Sequence, residues 1–468
     1  MMLRSRFLPM GLACFALLSS AFAADERPNV LFFLIDDQRN DTLGCAGHPI
    51  VKTPNVDRLA EEGVRFENAF VTTAICAASR ASIFTGLHER THGYTFGKPP
   101  VSDEYVSNGY PALFKRAGYR TGFVGKYGIK PKQNQFFDAY EEIRGSPYLH
   151  KQEDGSVRHE TELSGDFAVN FIQESEGPFC LSVSFNASHA DDGNHIPGIG
   201  HFPWPKAMDG MYEDVEISNP RLGDPSVRDG LPDFFLEGSM NRQRWYWRWD
   251  TPEKYDANIR AYFRMLSGID NTIGRVVRAL EKKGIADNTI IVYTGDNGYM
   301  MGDRGMAGKW NHFEQSLRVP MIIYDPRVKQ KKAFRTESEV VLNIDLAPTF
   351  LDAAGIDTPP HYQGRSLLSM VQGKKARNWR DDFFCEHLME NAKIPKYEGV
   401  RGERYVYARY FENDYEFLHD LKADPDQLVN YANNPEYQRV IAKMRARCDE
   451  LRDEYGGEYV TYVKPKQK

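Results

Sequence analysis

The chain has 468 residues, of which 41% are hydrophobic and 13% aromatic. This length is enough for one large domain and a smaller one, and the hydrophobic content is enough for a sizeable core. The formal net charge of −6 argues against a nucleic-acid-binding protein held by bulk positive charge. An anionic ligand would therefore have to be bound by local cations.

Residues 1–23 have the pattern of a secretory signal peptide. Arg4 and Arg6 form a basic start, residues 7–18 are mostly apolar, and Ala21-Phe22-Ala23 is a cleavage site of small residues. No later stretch approaches about 18 uncharged apolar residues, which predicts no membrane span. We therefore expect an exported protein, either periplasmic or secreted.

From residue 24 onward, apolar strand-length runs alternate with helical patterns. Val30 to Ile35 is a continuous apolar run that ends abruptly in Asp36 and Asp37, and such runs suit a parallel strand buried on both faces. Pro54 in a first turn predicts a short helix there. Further strands are expected at 121–124, 178–185, 289–293 and 319–324, and further helices at 110–117, 166–174, 255–282 and 345–354.

Two other regions differ in sequence pattern from this alternating core. Residues 190–250 show no regular period, and an insertion of this length is more often a functional loop than core. After about residue 370, an expected hairpin at 405–421 and a helix at 437–455 indicate a different architecture. We predict an α/β domain over 24–370, with a mostly parallel sheet sandwiched by helices. A smaller C-terminal α+β subdomain with an antiparallel sheet is expected over 371–468.

Polar residues follow several of these strands directly. In an open parallel sheet, the carboxyl ends of the strands meet along one edge, where ligands bind. Two adjacent carboxylates at a strand end repel each other unless a cation lies between them, although a turn or helix cap is the alternative interpretation. The residues expected to converge are Asp36, Asp37, Lys126, His189, Asp296, Asn297 and Lys309.

These side chains form a chemically coherent set. Asp36, Asp37, Asp296 and Asn297 offer oxygen ligands, and hard oxygen donors select calcium or magnesium over zinc. Three carboxylates around one divalent ion leave surplus negative charge. Nearby cations are therefore expected, and Arg80, Lys126 and Lys309 can supply them.

The segment Cys76-Ala77-Ala78-Ser79-Arg80 places a thiol four residues before an arginine. If a helix begins here, the two side chains share a face, and the small residues between them leave room for a ligand. For this pentapeptide alone, a buried structural cysteine is the alternative. The other cysteines of the expected mature chain form no close pair, which indicates neither a disulfide framework nor a thiolate zinc site; they are Cys45, Cys180, Cys385 and Cys448.

The pentapeptide resembles the active-site signature of type I sulfatases, although Ala78 stands where proline is usual. Further segments resemble other motifs of that family in the same order: 29–37, 294–298, 308–309, 314–320, 343–349, 362–366 and 420–425. The resemblance implies an alkaline-phosphatase-like fold. It also implies hydrolysis of sulfate esters. Because the chain is expected to be exported, the expected substrate is a sulfated polysaccharide or its oligosaccharides.

The resemblance also implies a role for each residue of the set. A maturation enzyme would oxidise Cys76 to formylglycine, whose hydrated aldehyde would act as the nucleophile. Asp36, Asp37, Asp296 and Asn297, with residue 76, would hold one calcium ion. Arg80 would stabilise the hydrate, Lys126 and Lys309 would bind sulfate oxygens, and His189 would protonate the leaving alcohol.

One position departs from the family pattern. Gly128 stands where the family commonly has a histidine two residues after the first lysine. His312 is a candidate substitute and substrate contact. Glu386, His387 and Arg401, in the smaller subdomain, are candidate sugar contacts, as are the arginines and aromatic residues of 242–249.

Two alternative functions stay open at this point. The same crevice could serve a phosphoester or phosphonate hydrolase. A non-catalytic relative that binds sulfated glycans, in which Cys76 is never converted, is the other.

Overall fold

The structure is a computed structural model. It describes residues 27–96, 99–130, 135–193, 200–328 and 334–459. The expected signal peptide, residues 1–23, lies outside the described residues. None of the helices within these ranges is long and apolar enough to cross a membrane.

An eight-stranded sheet lies at the centre of the molecule. Its strands are β1 Asn29–Ile35, β2 Val64–Phe70, β3 Arg120–Gly125, β4 Ala139–Glu141, β7 Phe179–Ser184, β8 Thr289–Gly295, β11 Met321–Tyr324 and β12 Arg335–Leu342. Their order in the sheet is β12-β2-β11-β8-β1-β7-β3-β4. Two small hairpins are β5 Leu149–Lys151 with β6 Val157–His159, and β9 Met300–Met301 with β10 Ala307–Gly308.

Within the large sheet, β1 pairs in parallel with both β7 and β8. Strand β11 is antiparallel to its neighbours β8 and β2. In the register of β1 and β8, Ile35 lies opposite Gly295, so the residues that follow these strands leave the sheet side by side. The predicted mostly parallel α/β sheet is confirmed, with β11 as an antiparallel member.

Helices cover both faces of the sheet. The α-helices of the described residues are α1 Pro54–Glu62, α2 Cys76–Thr85, α3 Glu89–His92, α4 Asp103–Ser107, α5 Tyr110–Arg116, α6 Glu160–Glu174, α7 Pro225–Asp229, α8 Met240–Arg248, α9 Pro252–Lys283, α10 Glu314–Leu317, α11 Leu346–Ala353, α12 Leu368–Val371 and α13 Gln438–Tyr455. The predicted helix over 255–282 is thus confirmed as α9, which is longer at its start because Thr251 caps it.

Strand β1 contributes side chains to two separate hydrophobic cores, because its side chains alternate between the two faces of the sheet. Val30, Phe32 and Leu34 pack with residues of α2, α5 and α11 on one face. Leu31 and Phe33 pack with residues of α1, α6 and α9 on the other. A strand with two buried faces needs a continuous apolar sequence, which is why the run from Val30 to Ile35 was recognisable.

The region 190–250 is less irregular than its sequence indicated. It contains α7 and α8, and the Ser239 hydroxyl caps α8 by accepting a hydrogen bond from the Arg242 N–H at 3.1 Å. Arginines and aromatic residues make up most of α8, so it lacks the apolar stripe by which a helix is recognised from sequence. The region from 127 to 160 likewise holds short strands that the sequence did not indicate.

The C-terminal part contains a four-stranded antiparallel sheet. Its strands are β13 Asp382–His387, β14 Tyr397–Gly402, β15 Tyr405–Tyr410 and β16 Tyr415–Asp420, in sequential order. Helix α13 packs on one face through Ile441, Cys448 and Leu451. The predicted antiparallel sheet in this part of the chain is confirmed.

Phe33 provides a test of how much β1 stabilises the fold. Its side chain is fully buried and stacks at 6.4 Å, between ring centroids, on Phe185. We expect Phe33→Ala to lower the free energy of unfolding by about 3–5 kcal/mol, because it leaves a cavity in a packed core. Urea denaturation measures the change. Val157→Ala, at an exposed position, should change it by less than about 0.5 kcal/mol; equal losses in both variants would contradict the central role of β1.

Candidate active site

The carboxyl ends of β1 and β8 bring four oxygen-bearing side chains together. Asp36 and Asp37 follow β1, and Asp296 and Asn297 follow β8. All four residues are fully buried. The backbone N–H of Asp37 donates to the Asp296 carboxylate at 3.3 Å, and the Asn297 side-chain amide donates to the Asp37 carboxylate at 2.6 Å.

Three oxygens of this group have no hydrogen-bond partner among the described residues. They are Oδ1 of Asp36, Oδ2 of Asp37 and Oδ1 of Asn297. An unpaired buried carboxylate oxygen is costly, so such a cluster requires a cation. One ligand atom each from Asp36, Asp37 and His189 lie within 4.8 Å of one another. This oxygen-rich donor set fits a hard divalent cation such as Ca²⁺.

Asp37 has a left-handed backbone, with φ of 54°. This conformation is uncommon outside glycine, and surrounding contacts have to maintain it. The Tyr262 hydroxyl, from α9, donates to the Asp37 carbonyl at 2.9 Å. The turn after β1 is thereby held so that two consecutive carboxylates face the same site.

Three cationic side chains neutralise the carboxylates. Lys126 pairs with Asp36, Lys309 pairs with Asp37, and Arg80 Nε donates to Asp296 at 2.7 Å. Arg80 also donates to the Lys126 carbonyl at 2.6 Å and to Ser184 at the end of β7. Arg80 and Lys309 are buried, whereas the Lys126 side chain is 24% exposed.

The carboxylates differ in how easily they are protonated. Burial alone would raise the pKa of Asp36, but the charges of Lys126, His189 and Lys309 outweigh it and hold that pKa well below its ordinary value. Burial, followed by the neighbouring charge of Asp36, raises the pKa of Asp296 to about 6. Asp296 is therefore the acidic residue of this group best suited to accept a proton.

Cys76 is the first residue of α2, beside these cations. It is 6% exposed, and every residue of α2 is buried. Burial opposes the charged forms of Lys126 and Lys309, but Asp36 or Asp37 and then Cys76 raise the pKa values of these lysines. The side chain at position 76 thus lies at a helix N-terminus, close to two lysines that are also paired with carboxylates, and a helix N-terminus favours a negatively charged group.

His189 lies between the acidic cluster and an opening to solvent. Its Nδ1–H donates to the Ala190 carbonyl at 2.6 Å, which leaves Nε2 facing the site, 3.7 Å from Asp37. Burial lowers the pKa of His189 to about 4, although Asp37 favours its charged form. His189 and Lys126 line a cavity of about 300 Å³, a volume at the lower end of the range for ligand sites.

Gly128, where the family pattern has histidine, could not accept a side chain without rearrangement. Its φ is 73°, and a Cβ atom there would lie 2.7 Å from Cδ of Arg80. The Tyr94 hydroxyl donates to the Gly128 carbonyl at 3.2 Å and secures this turn. The absence of a side chain at position 128 therefore leaves room for the Arg80 side chain.

Three predicted contacts have other partners in the structure, and a fourth is buried without one among the described residues. His312 hydrogen-bonds with Tyr410 at 2.9 Å and with His419 at 3.0 Å, and Arg401 pairs with Glu314 at 3.0 Å. The Glu386 carboxylate accepts two hydrogen bonds from Arg90. His387 is buried, and neither ring nitrogen has a hydrogen-bond partner in the described part of the chain. Their roles as substrate contacts remain predictions.

Sequence reasoning missed two features of the site. Ser184, which bonds to Arg80, lies at the carboxyl end of β7, so the strand-end rule could have identified it. Asp192 lines the same cavity as His189 and pairs with Arg244 and Arg248 of α8. The sequence indicated the arginines and aromatic residues of 242–249, but not Asp192, the carboxylate with which two of these arginines pair. A larger cavity of about 1050 Å³, beside the C-terminal sheet, contains none of the predicted site residues.

Two family models match the chain. The sulfatase model covers residues 28–356, and the model for the C-terminal part of N-sulphoglucosamine sulphohydrolase covers residues 302–454. The first spans most of the predicted large domain and includes every residue of the acidic cluster.

Several curated proteins are similar over nearly the whole chain. N-acetylglucosamine-6-O-sulfatase from Bacteroides thetaiotaomicron is 28% identical, over 96% of this chain and 91% of the relative. An ulvan-active sulfatase from Formosa agariphila is 26% identical, over 92% of this chain and 80% of the relative.

Solved structures share the fold. One is a protein in complex with its substrate D-glucosamine-2-N,6-O-disulfate, with a TM-score of 0.77 and 25% identity, covering 92% of this chain and 98% of that one. The phosphonate monoester hydrolase of Agrobacterium radiobacter has a TM-score of 0.78 at 24% identity, covering 92% and 96% of the two chains. The family match, together with the residues gathered at the ends of β1 and β8, confirms that this chain belongs to the sulfatase family.

Proposed function

We propose that this protein hydrolyses sulfate esters on a sulfated carbohydrate, a polysaccharide or its oligosaccharides, with residue 76 as the nucleophile after conversion to formylglycine. The observation that carries the proposal is the buried cluster of Asp36, Asp37, Asp296 and Asn297. Three of its oxygens have no hydrogen-bond partner among the described residues, and the lysines that flank it also interact with Cys76. A plain structural cysteine would need none of these surroundings.

Two groups would complete the site. Asp36, Asp37, Asp296 and Asn297 would hold Ca²⁺, which when bound supplies positive charge to the sulfate oxygens and lowers the pKa of a bound hydroxyl. Formylglycine at position 76 would supply a hydrated aldehyde. Unlike serine or cysteine, the hydrate has a second hydroxyl, and loss of its proton would re-form the aldehyde and expel sulfate from the first oxygen. Arg80, four residues further along α2, holds the surrounding carboxylates in place.

The remaining residues bind the sulfate and move protons. A sulfate ester is inert because its charged oxygens repel a nucleophile. Lys126 and Lys309 can neutralise that charge at the point where it develops. Asp296, with its raised pKa, is placed to accept a proton from the nucleophile. His189 would deliver a proton from Nε2 to the leaving alcohol as the imidazolium, since its Nδ1–H is engaged with the Ala190 carbonyl. Burial opposes this charged form, and the negative charge of a bound sulfate would favour it.

The carbohydrate part of the proposal draws on the relatives. Their names include sulfatases that act on N-acetylglucosamine and on ulvan, and an extracellular sulfatase homologue from Drosophila melanogaster. Export through the segment 1–23 would bring the enzyme to such substrates. The likeness to phosphonate monoester hydrolases extends to the fold only, so phosphate and phosphonate esters serve as the comparison substrates.

The first prediction concerns Cys76 itself. In protein from a host with the maturation enzyme, we expect the Cys76 peptide to be about 18 Da lighter than the thiol form, from replacement of SH and H by a carbonyl oxygen. This protein should hydrolyse p-nitrophenyl sulfate with a higher kcat/KM than p-nitrophenyl phosphate or a phenylphosphonate ester.

Cys76→Ala should abolish the activity, whereas Cys45→Ala, at a half-buried cysteine outside α2, should retain it. Faster hydrolysis of the phosphate or phosphonate ester would favour the other hydrolase function. An unmodified thiol in protein from the native host would favour a non-catalytic role.

Calcium binding is testable without measuring activity. Ca²⁺ should raise the melting temperature of the wild-type protein after chelator treatment, since it pairs with the buried oxygens and binds only the folded state. Asp296→Asn should lose this shift. Asp270→Asn removes another buried carboxylate, one that binds Asn55 instead, and should keep the shift. An undiminished shift in Asp296→Asn would place the ion elsewhere.

Gly128 is expected to be intolerant of a side chain because of Arg80. Gly128→Ala should lower kcat/KM for p-nitrophenyl sulfate at least tenfold, since the added Cβ displaces the Arg80 side chain. Gly155→Ala is the matched control, because Gly155 has a similar φ of 82° but nothing within 4 Å of an added Cβ. Equal activities of the two variants would show that contact with Arg80 is unimportant.

A further inference from the structure

The cavity beside His189 is lined by groups of both charges. Lys126 and His189, which also contact the acidic cluster, line it together with Asp191 and Asp192. A sulfate held by Lys126 would leave the rest of a substrate within the same cavity as the two carboxylates.

Asp192 is held in place by α8. Arg244 donates to one carboxylate oxygen at 2.5 Å, and Arg248 pairs with the other. Arg248 is fully buried, whereas the Asp192 side chain is 35% exposed. Burial opposes its charge, but Arg248, Arg244 and His189 lower the pKa of Asp192, so the carboxylate stays ionised. Each oxygen retains a lone pair that can face the cavity.

The two arginines do not offer donors to a ligand in this cavity. Nε and Nη1 of Arg244 are buried, and its guanidinium lies over the Trp310 ring, 4.9 Å from the centroid. Neither arginine lines the cavity. The neighbouring Asp191 is 7% exposed and accepts hydrogen bonds from the Ser146 hydroxyl and the Gly193 N–H. Asp191 and Asp192 therefore present hydrogen-bond acceptors to the cavity.

We propose that Asp192 is a specificity-determining residue, which accepts hydrogen bonds from free hydroxyls of the sugar ring that carries the sulfate. The same carboxylate disfavours a second sulfate or a carboxylate on that part of the ring. This inference rests on the proposed sulfatase function and narrows its substrate class to monosulfated, otherwise neutral sugars. A hydroxyl bound to an ionised acceptor forms a strong hydrogen bond, whereas a second anion has no donor to offer and would leave the Asp192 oxygens unpaired.

The test compares substrates within each variant. For wild type and Asp192→Asn, kcat/KM is measured on N-acetylglucosamine 6-sulfate, galactose 6-sulfate, glucosamine 2-N,6-O-disulfate and p-nitrophenyl sulfate, which has no ring hydroxyl. Asp192→Asn should lower the ratio of the better monosulfated sugar to the aryl sulfate by about tenfold or more. It should also reduce the preference for that sugar over the disulfated one.

The ratio does not depend on the fraction of folded enzyme, so the loss of the Arg248 ion pair does not confound it. Asp250→Asn is the matched control, since Asp250 follows α8 and pairs with Lys254 outside the cavity. Its ratios should equal those of wild type. Ratios in Asp192→Asn within twofold of wild type would overturn the proposal.

Failure of the proposed function would look different. If converted wild-type protein hydrolyses none of the sulfate esters, that function is wrong, and calorimetric titration with the two monosulfated sugars then decides the inference. Weaker binding by Asp192→Asn than by wild type supports a role for Asp192 in sugar binding. Equal binding, or binding by neither protein, overturns it.

Discussion

The structure depends on the pairing of charges that have been removed from water. Asp36, Asp37 and Asp296 are fully buried at the end of the central sheet, where an unpaired carboxylate would be strongly destabilising. Lys126, Lys309 and Arg80 offset part of this charge. Three oxygens, of Asp36, Asp37 and Asn297, still have no hydrogen-bond partner among the described residues, and such a donor set fits a divalent cation.

The sheet explains how distant residues reach this cluster. The strands β8, β1, β7 and β3 are consecutive neighbours, so their ends span three inter-strand spacings, about 14 Å. Asp296, Asp36, His189 and Lys126 follow these four strands in that order. Lys126 has to reach only from the end of β3 to Asp36 at the end of β1, two spacings or about 10 Å, which its long side chain and the aspartate bridge together. The strand order thus brings the carboxylates of the neighbouring strands β1 and β8 together, with Lys126 reaching them from the side.

Two features adapt this shared framework to the present chain. Gly128 has a left-handed backbone and no room for a side chain beside Arg80, so the turn after β3 differs from the family pattern. At the mouth of the cavity, α8 fixes Asp192 through two arginines. The first feature affects how Arg80 is held, and the second is the basis of the proposed discrimination between substrates. The acidic cluster and this wall of the cavity are built from different parts of the sequence.

The sequence by itself determined β1, β3, β7, β8 and β11, the presence of a large and a small sheet, the family and several polar residues that follow these strands, because an apolar run ending in a charge is a local pattern. It did not indicate α8, because the arginines and aromatic residues of this helix form no apolar stripe. Only the tertiary structure decided the partners: Lys126 and Asp36 are 90 residues apart, and Lys309 and Asp37 are 272 apart. Such pairings arise from strand order and packing, which no local spacing encodes. The same holds for Gly128 and Asp192, whose surroundings come from other elements.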